Sequence, residues 1–365
     1  MQVKPRLGRR RLAVHEFSKV TWQGVVGVDL GDRRSQICRL DQESGAILEE
    51  ARVTTTAASF QRSFAGLAPQ LVALESGTHS PWVVRLLRQL GHEVIVANPS
   101  KVRAISASRR KTDERDARCL AQLARVDPEL LSPVHPRSEE ALQALAVVRA
   151  REGLVRTRTK LINQIRGTVK VFGARLPASS TASFARRAQD ALPRELKAAL
   201  EPLVRVIATL SEEIAGFDRD VEAWSEKWPA TKRLRQIRGV GALTALVFVL
   251  ILGDPLRFAR SRSVGAFIGL VPACRDSGSS TPQLPISKQG DGLLRRLLVQ
   301  ASHYILGRHG QDSDLKRFGL KLAQRGGKNG KKRAVVAMAR KLAVLLHRLW
   351  ISEADYVPLY RSEAA

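Results

Sequence analysis

The chain has 365 residues, of which 61 are Lys or Arg and 34 are Asp or Glu, so its formal net charge is +27. This charge favours a polyanionic partner, nucleic acid above all, because basic side chains displace counterions from a phosphate backbone. Three widely spaced cysteines exclude a disulfide framework, no apolar signal segment is visible, and the longest apolar run, residues 240–252, is too short to span a bilayer. We therefore expect a cytoplasmic protein of two or three domains that binds no membrane.

Residues 1–21 are basic and lack periodicity, which predicts a flexible arm that either contacts phosphate or is a solvated tail. Residues 22–127 have a mixed α/β pattern. Strands are predicted at residues 25–30, 35–40, 47–53, 71–75 and 93–97, and helices at residues 56–67, 81–90 and 112–124. Three strands, a helix, a strand, a helix, a strand and a helix form the element order of a ribonuclease-H-like domain.

Four acidic residues in this region have the sequence contexts of metal ligands. Asp29 and Glu75 each end an apolar strand, whereas Asp113 and Asp116 lie three apart in a predicted helix and share one of its faces. Carboxylate oxygens suit Mg²⁺, and two such ions can clamp a phosphodiester. These residues alone do not distinguish a strand-joining enzyme from a metal-dependent nuclease or junction resolvase, or from a non-catalytic nucleic-acid-binding scaffold.

Residues 128–231 are predicted to form a proline-rich linker and a helical coiled-coil arm. Its first helix, residues 138–173, is basic, and Arg151 and Arg158 on it are candidate contacts to nucleic acid. Its second helix has a heptad seam made of Leu203, Ile207, Leu210, Ile214, Phe217, Val221 and Trp224. We expect the two helices to pair antiparallel and the arm also to dimerise, with a loop-rich connector at residues 174–194.

Residues 232–352 are predicted to form a helical C-terminal domain, followed by a tail at residues 353–365. Gly239 and Gly241 precede an apolar helix, which is typical of a helix-hairpin-helix that admits a phosphate; the alternative is a plain turn between buried helices. The remaining candidate nucleic-acid contacts are basic residues in or beside predicted loops: Arg109, Arg110, Lys111, Arg275, Lys288, Arg295, Lys328, Lys331, Lys332 and Arg333.

A loop rich in Ser and Gly lies between residues 269 and 290. A serine hydroxyl can attack phosphorus and hold a DNA end covalently when cations lie nearby. Spacing alone leaves four candidates for that nucleophile: Ser277, Ser279, Ser280 and Ser287.

Together these motifs make the chain resemble the DEDD transposases of bacterial insertion sequences, relatives of the pilin-gene invertase that act as bridge-RNA-guided recombinases. In chain order the motifs are GVDLG at 27–31, LESGT at 74–78, KTDERDA at 111–117, RGVG at 238–241, GLVP at 269–272 and DSGSS at 276–280, ahead of Ser287 and Lys288. The chain departs from the pattern at His79 and Arg238, where relatives often have an aromatic residue and a proline.

The resemblance implies that Asp29, Glu75, Asp113 and Asp116 form a RuvC-like site for Mg²⁺ or Mn²⁺ and that Ser277 is the nucleophile. It implies a site-specific recombinase that excises and inserts its own mobile element through a phosphoserine intermediate. The expected partners are the double-stranded DNA of element ends and target, a structured guide RNA, and further copies of the chain in a dimer or tetramer. The expected location is the bacterial cytoplasm, at the nucleoid.

Overall fold

The computed structural model describes residues 22–99, 101–102, 112–274, 282, 284–327 and 329–360. They form two compact units, an α/β unit that ends at Ser138 and a helical unit that begins at Glu139. Within these ranges no helix has both the length and the apolar character needed to cross a membrane. The predicted basic arm at residues 1–21 lies outside the described residues, and the predicted boundary at residues 231–232 stays a prediction.

The α/β unit is built on a five-stranded sheet of order β3-β2-β1-β4-β5. Strand β1 is antiparallel to β2 and parallel to β4. The strands are β1 (Gly24–Asp29), β2 (Arg34–Asp41), β3 (Ile47–Thr54), β4 (Leu71–Glu75) and β5 (Glu93–Ala97), and the helices are α1 (Ala57–Phe64), α2 (Ser80–Gln89) and α3 (Asp113–Val126). The predicted order of strands and helices is therefore confirmed for the described residues.

Each face of the sheet buries every second side chain of a strand, because successive side chains point to opposite faces. Val26 and Val28 pack with Phe60 and Phe64 of α1 on one face. Val25, on the other face, packs with residues of α3. Burial of each large apolar side chain contributes about 1.5–3 kcal/mol, so packing on both faces stabilises the sheet. The alternation of side chains also determines which strand residues α3 covers.

The helical unit is built around α8, whose residues from Thr244 to Leu252 are all buried. Its helices are α4 (Glu139–Val171), α5 (Phe184–Ala191), α6 (Lys197–Glu226), α7 (Pro229–Leu234), α8 (Ala242–Leu252), α9 (Ser263–Phe267), α10 (Gly292–Leu306), α11 (Asp314–Gln324) and α12 (Gly330–Ser352). An apolar helix that is buried all round forms the centre of a helical domain, not a membrane span.

Helices α4 and α6 pack against each other in antiparallel directions. Lys227 Nζ lies 3.8 Å from Glu140 Oε1 near one end, and Arg158 Nη1 donates to Ser211 Oγ at 3.2 Å further along, so residue numbers rise on α4 as they fall on α6. Of the predicted seam, Ile207, Ile214 and Val221 are buried, and the other four residues are half-buried. The pairing within the chain is thus present, and dimerisation of the arm stays a prediction.

The connector between these helices, expected to be rich in loops, also contains a short helix. Phe184–Ala191 is helical, and Phe184 and Ala188, one turn apart, are buried against the arm. Sequence reasoning did not find this helix because Phe184 is its one large apolar residue and prolines flank it, so too few apolar positions remained to indicate a period.

His92 provides a test of the α/β unit through its protonation. Its buried ring accepts a hydrogen bond from Gln70 N at Nδ1 (3.2 Å) and lies 3.1 Å from Phe64 O at Nε2, which must then carry the single proton. Burial lowers the pKa of His92. Since an unfolded histidine titrates near 6.5, the unfolded chain binds more protons below that pH, and stability falls as the pH falls below about 6.5.

We expect hydrogen exchange in β4 and β5 to accelerate between pH 7.5 and pH 5.5, after correction for the intrinsic exchange rate. The variant His92→Gln, whose amide can accept and donate but cannot titrate, should have a weaker dependence on pH. An equal dependence in both proteins would exclude His92 as its source.

Candidate functional site

Asp29 and Glu75 end neighbouring parallel strands. The last paired residues of β1 and β4 are Val28 and Leu74, so Asp29 and Glu75 come next at the same level of the sheet. Both belong to the set of alternate residues that faces α3, the face on which Val25 is buried. Adjacent strands lie about 4.8 Å apart, so the two carboxylates project from one edge of one face.

Helix α3 approaches this face unusually closely at Gly27. A Cβ atom on Gly27 would lie 1.9 Å from Ala117 O and 2.6 Å from Ala121 N, so only glycine permits the contact. Ala117 and Ala121 are one helical turn apart, and Asp113 is the preceding member of the same stripe. The stripe therefore extends from Gly27 toward the start of α3.

The start of α3 lies toward the edge of the sheet that carries Asp29. Val25 packs in one cluster with Leu120 and Ala124, whereas Gly27 meets residues one turn nearer the helix start, so α3 runs opposite to β1. Thr112 caps the helix by accepting from Arg115 N at 3.4 Å. Asp113 is exposed and Asp116 half-buried in the first turn, where the positive end of the helix dipole favours carboxylates.

The four predicted acids fit a hard cation in chemistry, because carboxylate oxygens are the preferred ligands of Mg²⁺. Their side chains are not drawn together: in the parts of the chain that the structure describes, no three His, Cys, Asp or Glu residues are close enough to hold a metal ion jointly. The ligand set of Asp29, Glu75, Asp113 and Asp116 therefore stays a prediction.

Asp32 was missed as a candidate, and His79 was noted only as a departure from the family's pattern. His79 Nε2 lies 3.5 Å from Asp32 Oδ1, and Trp82 Nε1 donates to His79 Nδ1 at 3.1 Å. An indole nitrogen can only donate, so Nδ1 accepts and a neutral ring carries its proton on Nε2, toward Asp32. Asp32 follows Asp29 by three residues, and His79 follows Glu75 by four. Their position just after the two strands was the sequence signal that could have indicated that they lie near each other.

The loop that contains Ser277, Ser279, Ser280 and Arg275 lies outside the described residues, but the frame on which it is built is described. Ser287 N donates to Val271 O at 2.9 Å, and Ala273 N donates to Pro285 O at 2.9 Å. Arg295 Nη1 donates to Ile268 O at 2.8 Å and to Gln289 O at 2.9 Å. Arg295, predicted to contact nucleic acid, thus holds the base of the loop.

Lys288 has a left-handed backbone in this frame, with φ of +55°. A side chain in that region costs roughly 1–2 kcal/mol relative to glycine, and the Lys288 side chain is exposed. Next to it, the hydroxyl of Ser287 is buried and has no hydrogen-bond partner among the described residues. The contact of Lys288 with nucleic acid stays a prediction.

The two predicted basic contacts on the arm, Arg151 and Arg158, are both bound to other side chains of the arm. Arg158 is only 9% exposed and donates to Ser211, and burial is the main cause that lowers its pKa. Its guanidinium therefore holds parts of the arm together, and its contact with nucleic acid stays a prediction. Arg151, whose side chain is 17% exposed, is bound to Asp218 at 2.6 Å.

The remaining predicted nucleic-acid contacts fall into three groups. Lys331, Lys332 and Arg333 are exposed at the start of α12. Gly239 packs against α10, where a Cβ would lie 2.9 Å from Tyr304 Cδ1, whereas Gly241 is exposed at the start of α8 with open space around it. The positions outside the described residues are Arg109, Arg110, Lys111, Arg275 and Lys328.

Comparison with known proteins links both units to one kind of enzyme. A family model for a DEDD domain, described as a transposase of the IS110 type, matches residues 26–173. A second model, described as the transposase IS116/IS110/IS902 family, matches residues 231–318. The first match contains the strand ends and the start of α3, and the second contains the serine-rich loop.

Individual relatives match along most of the chain. A transposase for insertion sequence element IS1111A of Coxiella burnetii is 30% identical over 341 residues, covering 91% of both chains. A probable family 20 transposase of Pseudomonas aeruginosa is 29% identical and covers 91% of this chain and 98% of its own. The pilin gene-inverting protein of Moraxella lacunata is 25% identical and covers 70% of this chain and 71% of its own.

The contact at Gly27 can be tested by adding one methyl group. Gly27→Ala should destabilise the α/β unit by about 3 kcal/mol, because backbone atoms of α3 must move to admit Cβ. We expect a lower urea midpoint and faster hydrogen exchange in α3. Gly66→Ala is the matched control: nothing lies within 4 Å of its added Cβ, so its effect should stay within about 0.5 kcal/mol. Equal effects would contradict the close approach.

Proposed function

This chain belongs to the IS116/IS110/IS902 family of transposases, enzymes that cleave and rejoin DNA, and on that premise we propose that it is a metal-dependent, RNA-guided recombinase with a phosphoserine intermediate. The observation that carries the proposal is the strand register. Asp29 and Glu75 end adjacent parallel strands on the face that α3 covers, and the first turn of α3 lies toward the same edge.

The metal would be Mg²⁺ or Mn²⁺, held by Asp29, Glu75, Asp113 and Asp116. When bound, such an ion neutralises the charge of the phosphate and positions it. The chain itself supplies the rigid backbone that carries these carboxylates: two strand ends within one sheet, and a helix start fixed by the Thr112 cap.

The reacting group on the chain is proposed to be the Ser277 hydroxyl. Its Oγ forms a bond to phosphorus while the bond from phosphorus to the 3′ oxygen breaks. The serine proton leaves with a base, and the departing 3′ oxygen takes up a proton to become a hydroxyl. A 3′ hydroxyl of the exchanged strand then attacks the phosphoserine and releases Ser277, so the bond energy is conserved and no ATP is consumed.

Sequence choice is proposed to come from base pairing with a structured guide RNA, while the protein contacts backbones by charge and shape. Lys288, Lys331, Lys332 and Arg333 support this proposal because all four are exposed cations in the helical unit. We propose that copies of the chain assemble as a dimer or tetramer, so that two DNA duplexes are held together.

The covalent step can be tested on labelled element-end DNA incubated with Mg²⁺ and protein co-expressed with the element's flanking RNA. On a denaturing gel, the wild type should give a protein-linked DNA band. Ser277→Ala should lose it by at least about 10³-fold because no nucleophile remains, and Asp29→Asn should lose it because a metal ligand is removed. Ser279→Ala, in the same loop, is the control that should keep the band.

Each other result points to a different enzyme. Cleavage without a protein-linked band, unchanged by Ser277→Ala, would identify a metal-dependent nuclease that uses water. Intact DNA under every condition would support a binding scaffold without catalysis. A band that persists in Ser277→Ala and disappears in Ser279→Ala would move the nucleophile along the loop.

Substitutions at Lys288 can distinguish the effect of its side-chain charge from the effect of its backbone conformation. Lys288→Gly relieves the left-handed strain at φ +55° and should leave thermal stability equal or higher by about 1 kcal/mol, yet slow formation of the protein-linked band roughly 10-fold or more through loss of the cation. Lys288→Arg should retain most of the rate. Glu353→Gly, which relieves similar strain at φ +53° at the end of α12, is the control. An unchanged rate in Lys288→Gly would leave the lysine without this role.

A further inference from the structure

A groove lies between α11 and α12 in the helical unit, apart from the serine-loop frame and from the exposed cations that begin α12. Its cavity volume is about 370 Å³, near the lower end of the range of ligand pockets, roughly 300–1,000 Å³. We call it the α11–α12 groove. Its cationic lining residues are Arg317, Lys321, Arg325 and Lys341, and its apolar lining residues are Phe318 and Leu322.

The charge of the groove is unbalanced. Four cations line it, and Asp314 is the carboxylate that lines it with them. Arg317 is held by Asp312, with Nη2 to Oδ2 at 2.7 Å. Among the described residues no hydrogen bond or ion pair is found for the side chains of Lys321 and Arg325, which are both exposed. Cations gathered around one concave surface repel each other until an anion binds there.

The cations on α11 and at Arg325, the residue that caps its end, form a single row. Arg317, Lys321 and Arg325 are spaced four residues apart, so each lies about 6 Å further along the helix axis on nearly the same face. A row of this kind follows an extended chain of anionic groups better than it encloses one compact anion. The arrangement therefore suits successive phosphates of a polynucleotide strand.

The apolar part of the groove distinguishes a single strand from a duplex. Phe318 and Leu322 are half-buried, and Lys341 Nζ lies 3.7 Å from the centre of the Phe318 ring, so the ring helps to hold that ammonium in the groove. In a duplex the base faces are stacked on each other and cannot reach such a surface. Grooves that combine cations with an aromatic ring are the means by which proteins bind unpaired strands.

We propose that the α11–α12 groove binds an unpaired nucleic-acid strand, with phosphates on Lys321 and Arg325 and a base against Phe318 and Leu322. This assignment rests on the proposed recombination, during which strands separate and are exchanged. It gives α11 a role in holding a displaced strand, distinct from the chemistry at Ser277 and the acidic residues.

The test measures binding alone, in the full-length protein without divalent metal, so that no cleavage occurs. Fluorescence anisotropy would compare a labelled 12-nucleotide single strand with a duplex of the same sequence over a range of salt concentrations. Lys321→Gln/Arg325→Gln should weaken single-strand binding at least about 10-fold and reduce the slope of log K against log salt by roughly 1.4, or 0.7 for each lost phosphate contact. Phe318→Leu should weaken single-strand binding about 10-fold with little change in slope.

The matched control is Arg194→Gln/Lys197→Gln, which removes the same charge from two exposed positions at the start of α6. It should change both affinities slightly and equally. A groove variant that behaves like this control, or that loses duplex and single-strand binding equally, would overturn the proposal. Since the assay needs no strand cleavage, failure of the phosphoserine mechanism would leave its outcome unaffected.

Discussion

The contact between Gly27 and α3 is the constraint on which the α/β unit depends. Backbone atoms of Ala117 and Ala121 occupy the space that a side chain at residue 27 would need, so the helix lies directly on the central strand. Arg118, the residue after Ala117, donates to Glu50 Oε1 at 2.8 Å and ties the same helix to β3. The position of the first turn of α3 therefore follows from packing further along the helix. The stability of the sheet and the position of the acidic residues are therefore linked, because both depend on the distance between α3 and β1.

A corresponding connection exists in the helical unit, where a carboxylate of the arm meets the helix that follows the serine-loop frame. Glu152 is 8% exposed, and it binds Arg156 at 2.7 Å and Arg296 of α10 at 2.6 Å. Burial alone would raise the pKa of Glu152, but these two guanidinium groups hold it below its usual range. Arg149 of α4 also binds Asp291, whose other oxygen caps α10 by accepting from Leu294 N at 2.7 Å. Buried ion pairs add little net stability, and their better-attested effect is to fix register. Here they fix the arm relative to the base of the serine loop.

The local sequence pattern was sufficient to predict a strand or helix wherever the segment itself contained a clear run of apolar residues or a capping residue. Leu71–Glu75 is a run of apolar residues bounded by polar ones, and Thr112 stands where a cap is needed, so both elements are found where they were predicted. The placement of Asp29 and Glu75 at the ends of strands was also predicted from the apolar runs that precede them. Burial of Arg158 could not be predicted, because its partner Ser211 is 53 residues away. The pairing of His79 with Asp32 likewise required two loops to meet at one sheet edge. Sequence reasoning thus reached what is encoded locally and missed what depends on which distant segments become neighbours.

Lys321 and Arg325, for which no ion pair is found among the described residues, have a consequence for the lifetime of the folded protein. Repulsion between groups such as Lys321 and Arg325 is relieved when a polyanion binds, so the bound chain is stabilised relative to the free one by mass action, by about 2.7 kcal/mol when the ligand is at 100 times its Kd. Unfolding exposes a chain to proteolysis in proportion to the population of the open state. If the groove binds nucleic acid as proposed, we expect free copies to be degraded before bound ones, which would couple the lifetime of the enzyme to the nucleic acid on which it acts.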